Sequence, residues 1–430
     1  MSIEEIYKLF KKYPVISTDS RNVPQDALFF ALKGENFNGN RYGSYALDNG
    51  AAYAVIDEAE YKISDRFILV NNVLSALQQL ATYHRLELGI PIISITGTNG
   101  KTTTKELTTA VLSKKFRVCA TKGNLNNHIG VPLTLLSMDE TTEIGVVEMG
   151  ANHPGEIAEL CNIALPDFGL ITNVGKAHLE GFGSFEGVKK TKGELYRFIH
   201  ERGGKIFRNM SNTHLAEMAE DTETIGYRTG REGSGIEGEV INSSPVLVFK
   251  AKFPKGWLYI KTNLAGGYNL ENAMAAVCIG TYFKIDPLEI SNALESYVPS
   301  NNRSQFIQTG NNQVLMDAYN ANPSSMEAAL DNFQTFDAPQ KAVILGDMFE
   351  LGQSSLEEHQ KIADKLAAMD LSMILLTGRE FSRCKVKSDI RTFENNELLI
   401  NYLEDMNPKG YLFLIKGSRG MKLERVAEKL

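Results

Sequence analysis

Ile92-Ile-Ser-Ile-Thr-Gly-Thr-Asn-Gly-Lys-Thr-Thr-Thr-Lys105 is the stretch that decides the fold. Ile92, Ile93 and Ile95 make a β-branched run that stops at a turn containing Gly97 and Gly100, and a helical pattern opens at Lys101-Thr102 with Leu107, Ala110 and Val111 on one face. Strand, glycine turn and helix in this order make a phosphate-binding loop. The N–H groups of the turn and of the first helical residues point at one spot, where the helix dipole also favours negative charge. Gly97, Thr98, Asn99, Gly100, Lys101, Thr102 and Thr103 are therefore the expected nucleotide cradle. The two glycines let the backbone approach an anion, Lys101 reaches the outer phosphates, and the Thr102 hydroxyl can ligate Mg²⁺. An ordinary glycine-rich turn is the plain alternative. The usual loop opens with a further glycine where this chain has Ile95, so the loop is a shortened variant.

At 430 residues the chain is long enough for about three domains, each with its own core. Forty-five basic residues against 52 acidic ones give a net charge of −7, so nothing suggests a nucleic-acid or anionic-membrane partner. Cys119, Cys161, Cys278 and Cys384 are far apart and form no C-x-x-C pair, which fits a reducing, cytoplasmic compartment. The start of the chain places Ile3, Ile6, Leu9 and Phe10 at helical spacing around Glu4 and Glu5, an amphipathic helix and not a signal peptide. No apolar run is long enough to span a membrane.

The pattern predicts an α/β protein of three domains. Residues 1–89 form a small mixed α/β domain with strands at Val15–Ser17, Ala27–Leu32, Ala54–Ile56 and Ile68–Val70; a helix then runs from Asn72 to Leu88, where Gly89 and Pro91 end it. Residues 90–299 form a central P-loop domain with a doubly wound parallel sheet, to which a hairpin between Val246 and Lys261 is appended. Val298–Asn302 is the expected linker. Residues 300–430 form a Rossmann-like domain with strands at Val314–Met316, Ala342–Leu345, Met373–Leu376 and Tyr411–Ile415.

Several polar groups follow strands, where open α/β sheets bind ligands. Glu148 is a cap or a second metal ligand. His178 is a hydrogen-bonding loop residue or a ligand. Lys189, Lys190 and Lys192 lie on one helical stretch, which by composition is a solvated face; a lysine near two Mg²⁺ ions would instead have to be neutral, or carry CO₂ as a carbamate anion bridging the metals. Arg303 follows the linker, as a surface residue or as a γ-phosphate clamp. Asp317 and Asn320 end a strand in a turn-forming segment. The loops Gly346–Gly352 and Lys416–Gly420 also follow strands, which puts three polar loops at one sheet edge.

Together these stretches resemble the Mur ligases of peptidoglycan synthesis over essentially the whole chain. Thr96-Gly-Thr-Asn-Gly-Lys-Thr102 looks like their loop, which folylpolyglutamate synthases share. Gly123–Leu136, Glu148-Met-Gly-Ala151, Thr172–Glu180, Tyr319–Met326, Leu345–Gly352 and Lys416–Met421 look like those of the member that adds D-alanyl-D-alanine to UDP-N-acetylmuramoyl-tripeptide. The Asp-Asn-Pro-Arg motif of the preceding, diamino-acid-adding ligase is absent. The resemblance implies ATP, two Mg²⁺ sites and a CO₂-derived carbamate on Lys192, with Thr102, Glu148, His178 and Lys192 at the metals. It puts Asn269 and Asn272 on the adenine, and Arg303 and Asp317 on the γ-phosphate and ribose. It places Ser20 and Arg21 on the uridine nucleotide, and Asn126, Asn127, Tyr319, Asn320 and Asn322 on substrate. Lys101, Lys192, His178 and Arg303 are the expected catalytic groups. The implied enzyme is a cytoplasmic monomer that makes an amide through an acyl phosphate. One departure is Gly266-Gly-Tyr-Asn269, where the family often has Gly-Arg-His-Asn. The rival expectations are a ligase of the preceding or folylpolyglutamate type, and a non-catalytic nucleotide-binding regulatory module.

Overall fold

A computed structural model describes residues 1–230, 235–300 and 302–430. Asn301, inside the expected linker, lies outside the described residues.

The strand Ile92–Thr96 is buried along its whole length and pairs in parallel with Ile144–Glu148 on one side and Phe168–Ile171 on the other. Isoleucine on both faces suits this position, because a central parallel strand is covered above and below by helices. The helices Val73–Leu88, Gly130–Leu136, Glu156–Ala164 and Phe185–Glu201 contribute to the core on one face; Lys101–Leu112, Asn269–Tyr282 and Pro287–Ser296 contribute to the other.

This sheet has nine strands. The hairpin expected as an appendage is the edge of the sheet itself: Ile236–Asn242 runs parallel to Glu223–Thr229, and Val248–Phe253 and Gly256–Lys261 follow antiparallel. Ile236–Asn242 was not expected as a strand, because Glu237, Gly238 and Glu239 interrupt any apolar alternation. Gly238 is needed there, since a Cβ would stand 2.2 Å from Met274 Sδ on the helix packed against it.

The first domain carries four parallel strands, Ile16–Ser17, Leu28–Phe30, Tyr53–Ile56 and Phe67–Leu69. Its link to the centre is the helix Val73–Leu88, begun by Asn72, whose side chain accepts from Ser75 N, and ended by Gly89 at φ 60°. Ile6, Phe10, Leu28 and Phe30 share one apolar core with Ile92, Leu160 and Leu195, so first and central domains form one packed body.

The third sheet has six strands, in the order Gln305–Gln308, Gln313–Asp317, Leu412–Lys416, Lys341–Gly346, Met373–Thr377 and Ile390–Phe393. The first and last were not foreseen: both are short edge strands that lack a fully apolar run. Gln313–Asp317, Leu412–Lys416 and Lys341–Gly346 are adjacent and parallel, so the three polar loops after them share one edge. This domain has its own core on each face, joined by only one central-domain residue, Ala265.

The first and central domains are also clamped by Arg85. Its Nε donates to Ala164 O at 3.2 Å and its Nη2 to Leu165 O at 3.2 Å and Asp167 Oδ2 at 2.8 Å, while Ile92 N donates to the same carboxylate oxygen. Arg85→Ala should cost about 2 kcal/mol, the scale of charge-assisted hydrogen bonds lost from a buried site. The melting transition of this body should fall accordingly, and an unchanged melt would show the clamp to be idle.

Candidate active site

Gly97 (φ 143°) and Gly100 (φ 77°) hold the loop in conformations that favour glycine. A Cβ at Gly97 would lie 2.0 Å from Thr172 Oγ1, and one at Gly100 would lie 2.3 Å from Asn272 Oδ1. The loop is thus pressed between the end of the next strand and the helix Asn269–Tyr282. The segment after that strand holds it: Thr172 Oγ1 donates to Asn99 O at 2.6 Å, Asn99 N to Asn173 Oδ1 at 3.0 Å, and Thr98 N to Asn173 O at 3.0 Å. No side chain caps the helix Lys101–Leu112, so its first N–H groups are left for an anion.

The loop opens into a cleft of about 860 Å³ between the central and third domains. Thr98, Asn99, Gly100, Lys101, Thr102 and Thr103 line it, as do Asn126, Asn127, Glu148, His178, Asn269, Asn272, Arg303, Asp317, Tyr319, Asn320 and Asn322. Gly97 and Lys192 stand just behind the lining. Ser20 and Arg21 are not at the cleft: Ser20 is buried in the first domain, and Arg21 is exposed and hydrogen-bonded to Asp19.

Lys101 is folded back on its own loop, Nζ donating to Gly97 O at 2.8 Å and Thr98 O at 3.1 Å. Burial depresses its pKa; Glu148 opposes the shift and Arg303 adds to it. Arg303 lies over the Tyr319 ring at 3.6 Å, and its Nε is buried with no partner. Two cations from two domains thus face one cavity.

Glu148 ends its strand and is 2 % exposed. Its N donates to Thr121 Oγ1 at 2.9 Å, and Asn126 Nδ2 donates to its Oε1 at 2.8 Å. Its Oε2 is buried without a partner. A fixed carboxylate with one bare oxygen is a donor for a hard cation. Among the described residues no group of three His, Cys, Asp or Glu side chains is gathered to cage a metal. The donors therefore fit a cation held partly by phosphate oxygens, as Mg²⁺ commonly is.

His178, at φ 49°, pairs through Nδ1 with Glu350 of the third domain. The ring nitrogen and the carboxylate are in close contact without hydrogen-bond geometry, which brings the ring up against the third domain. Glu350 was expected only as part of the strand-end loop Gly346–Gly352, in a stretch loosely placed near the dipeptide, and not beside His178.

Lys192 is 2 % exposed on the helix Phe185–Glu201, with Nζ 3.4 Å from Ala151 O and 5.4 Å from the Phe182 ring centre. Burial, with Lys101 adding, lowers its pKa from 10.5 to about 7. Lys190 is exposed and Lys189 pairs with Glu217, as a solvated face requires.

Asn269 and Asn272 are bonded within the protein. Asn269 Nδ2 donates to Ala265 O at 2.7 Å, Asn272 Nδ2 to Asn269 Oδ1 at 2.8 Å, and Thr104 Oγ1 to Asn272 Oδ1 at 3.0 Å. Asp317 accepts from Lys416 Nζ at 2.6 Å, a buried lysine not singled out from its loop in the sequence although it ends a strand before a glycine. Asn322 caps the helix Pro323–Gln334 and donates through Nδ2 to Asn99 Oδ1 at 2.9 Å, so the third domain touches the phosphate loop directly. Tyr268 is hydrogen-bonded to Ser304 Oγ at 3.0 Å.

The chain matches the Mur ligase family catalytic domain over residues 12–95, the Mur ligase middle domain over 95–280 and the Mur ligase glutamate ligase domain over 302–419. It is 35% identical to the UDP-N-acetylmuramoyl-tripeptide--D-alanyl-D-alanine ligase of Bacillus subtilis, covering 96% of this chain and 92% of that one. A crystal structure of MurF from Acinetobacter baumannii superposes with a TM-score of 0.85 at 31% identity, covering 96% of this chain and 93% of that one. The MurF ligase of Thermotoga maritima, solved in complex with ADP, has a TM-score of 0.85 at 28% identity, covering 96% of each chain.

Because Lys192 is neutral in the fold above about pH 7 and charged in the unfolded chain up to about 10.5, the unfolded state binds the extra proton between those values. Stability should therefore gain from this residue as pH rises from about 7 to 10.5, and Lys192→Met should remove that gain. Parallel slopes of stability against pH for the two proteins would contradict the buried neutral amine.

Proposed function

The chain belongs to the Mur ligase family, and from that premise we infer that it is an ATP-dependent ligase joining D-alanyl-D-alanine to UDP-N-acetylmuramoyl-tripeptide through an acyl phosphate. The observation that carries the chemistry is the pair of cations, Lys101 and Arg303, which face one cleft from two domains.

A carboxylate is a poor electrophile in water, and forming an amide from it is uphill. Phosphorylation supplies the leaving group: a carboxylate oxygen of the tripeptide attacks the γ-phosphorus and ADP departs. The dipeptide amine then adds to the acyl carbon, loses its proton, and phosphate is expelled. The first step sets two anions against each other, a repulsion of several kcal/mol at the effective dielectric of a protein. Lys101 and Arg303 offset it and hold the oxygens in line, while the open helix N-terminus at Lys101 takes the phosphates.

In this reading Gly97 to Thr103 cradle the triphosphate, Asn269 and Asn272 face the adenine and Asp317 the ribose. Asn126, Asn127, Tyr319, Asn320 and Asn322 border the acceptors, and Ser20 and Arg21 hold the distant uridine end. Thr102, Glu148 and His178 would hold Mg²⁺, with Lys192 completing the set as a carbamate; the ions would supply charge neutralisation of the phosphates. The bare Glu148 Oε2 and the near-neutral Lys192 support this assignment. A neutral amine is the form that takes up CO₂.

We place the domain boundaries at residues 1–89, 90–299 and 300–430, because the strands of each sheet fall within these limits. The third domain should move about a hinge near Pro299–Asn302, since it shares almost no apolar core with the centre and meets it through polar contacts such as Asn322 with Asn99 and Lys176 with Glu358. A cytoplasmic monomer suits a cleft complete within one chain and four free cysteines. Among the described residues no helix is long and apolar enough to cross a membrane.

Phosphate release should require ATP, the tripeptide nucleotide and D-alanyl-D-alanine together, and ATP binding without such release would leave only a nucleotide-binding module. Arg303→Ala should lower kcat by about 10²- to 10³-fold, the scale of removing one transition-state donor. Lys192→Ala should lose activity and regain part of it with a short carboxylic acid, and ¹³CO₂ should give the wild type a carbamate resonance that the variant lacks. Full activity of Lys192→Ala without added acid would reject the carbamate.

A further inference from the structure

The loop Lys416–Gly420 leaves one cation without an anionic partner. Lys416 is used by Asp317 at 2.6 Å. Arg419 is exposed; its guanidinium carbon lies 5.0 Å from the centre of the Tyr319 ring, and its Nη1 donates to Tyr319 Oη at 3.1 Å. The same ring carries Arg303 at 3.6 Å. Neither arginine has a carboxylate partner among the described residues. Two guanidinium groups on one tyrosine repel each other, and that arrangement is relieved when each meets an anion.

We propose that Arg419 receives the C-terminal carboxylate of the incoming dipeptide, with Tyr319 spacing it from Arg303. This rests on the ligase reading above. The dipeptide brings an amine that must reach the acyl carbon beside the γ-phosphate, and a carboxylate two residues further on, about 7 Å away when extended. Arg303 marks the phosphate end, and the guanidinium carbons of Arg303 and Arg419, 3.6 and 5.0 Å from one ring centre, are close enough for one dipeptide to reach both. The forked guanidinium matches a carboxylate in two hydrogen bonds.

Beside Arg419 stands an apolar side chain from the neighbouring loop. Phe349 is 46% exposed, its N donates to Ser418 Oγ at 2.9 Å, and a Cβ on Gly420 would stand 2.5 Å from its ring. Gly420 thus lets the ring lie flat against the loop, where it offers a wall to small side chains such as methyl groups. Asp347 O accepts from Ser418 N at 3.1 Å, so the two loops are tied and the arginine and the ring keep a fixed relation. Arg419 does not itself line the nucleotide cavity, whereas Tyr319 does, which puts the carboxylate subsite at the rim and the amine inside.

Steady-state kinetics with D-alanyl-D-alanine and with its C-terminal amide test this in the wild type, Arg419→Ala and Arg419→Lys. Arg419→Ala should raise the KM for the dipeptide about 10- to 100-fold, the scale of a charge-assisted hydrogen-bond pair. The KM values for ATP and the tripeptide nucleotide should stay near those of the wild type, and Arg419→Lys should recover part of the loss. The amide should penalise the wild type by a similar factor and add no further penalty in Arg419→Ala. An unchanged dipeptide KM in Arg419→Ala, or an amide penalty as large in the variant as in the wild type, overturns the proposal alone. A wild type that turns over no dipeptide overturns the ligase reading and this proposal together.

Discussion

Lys101 of the central domain and Arg303 of the third face one cleft, and like charges brought to one cavity repel. Burial and Arg303 together depress the Lys101 amine. Glu148 opposes that shift, and a triphosphate between the two cations would add to its effect and offset their repulsion. Nucleotide binding and approach of the third domain therefore favour each other, which is what a site assembled from two bodies requires.

The rest of the central domain keeps that meeting point fixed. The loop cannot shift, because Gly97 rests on Thr172 and Gly100 on Asn272 at distances that leave no room for a side chain. Glu148 cannot shift either, with its N on Thr121 and one carboxylate oxygen on Asn126. The first domain adds rigidity by sharing its apolar core with the centre. The third domain meets the loop through Asn322 and Ser324 on Asn99, hydrogen bonds that can be made and broken without exposing a core. The pairing of His178 with Glu350 crosses the same boundary and links the candidate metal position to closure.

Much of this was legible in the chain because it is local. The strand at Ile92, the glycine turn, the helix from Val73 to Gly89 and the strand ends at Glu148 and Asp317 each carry their signal within a few residues. What escaped depends on neighbours distant in sequence. Gln305–Gln308 and Ile390–Phe393 are edge strands, where pairing and not apolar content makes the strand. By composition Lys192 is one lysine among three, and only the family resemblance singled it out; the fold buries it and leaves Lys190 in solvent. Glu350, Lys416 and Arg419 sit in loops whose composition says only turn; their meaning comes from His178, Asp317 and Tyr319, each on another strand end or in another domain. Tyr268 keeps a polar tie from the central domain to Ser304 of the third.

The central claim is that a carboxylate of the acceptor attacks the γ-phosphorus in the cleft between Lys101 and Arg303. Transfer of oxygen tests it most directly. With the tripeptide carboxylate labelled with ¹⁸O, turnover with ATP and D-alanyl-D-alanine should release inorganic phosphate carrying one labelled oxygen, read by mass spectrometry. Amide product accompanied by wholly unlabelled phosphate would contradict the acyl phosphate and the role given to the two cations.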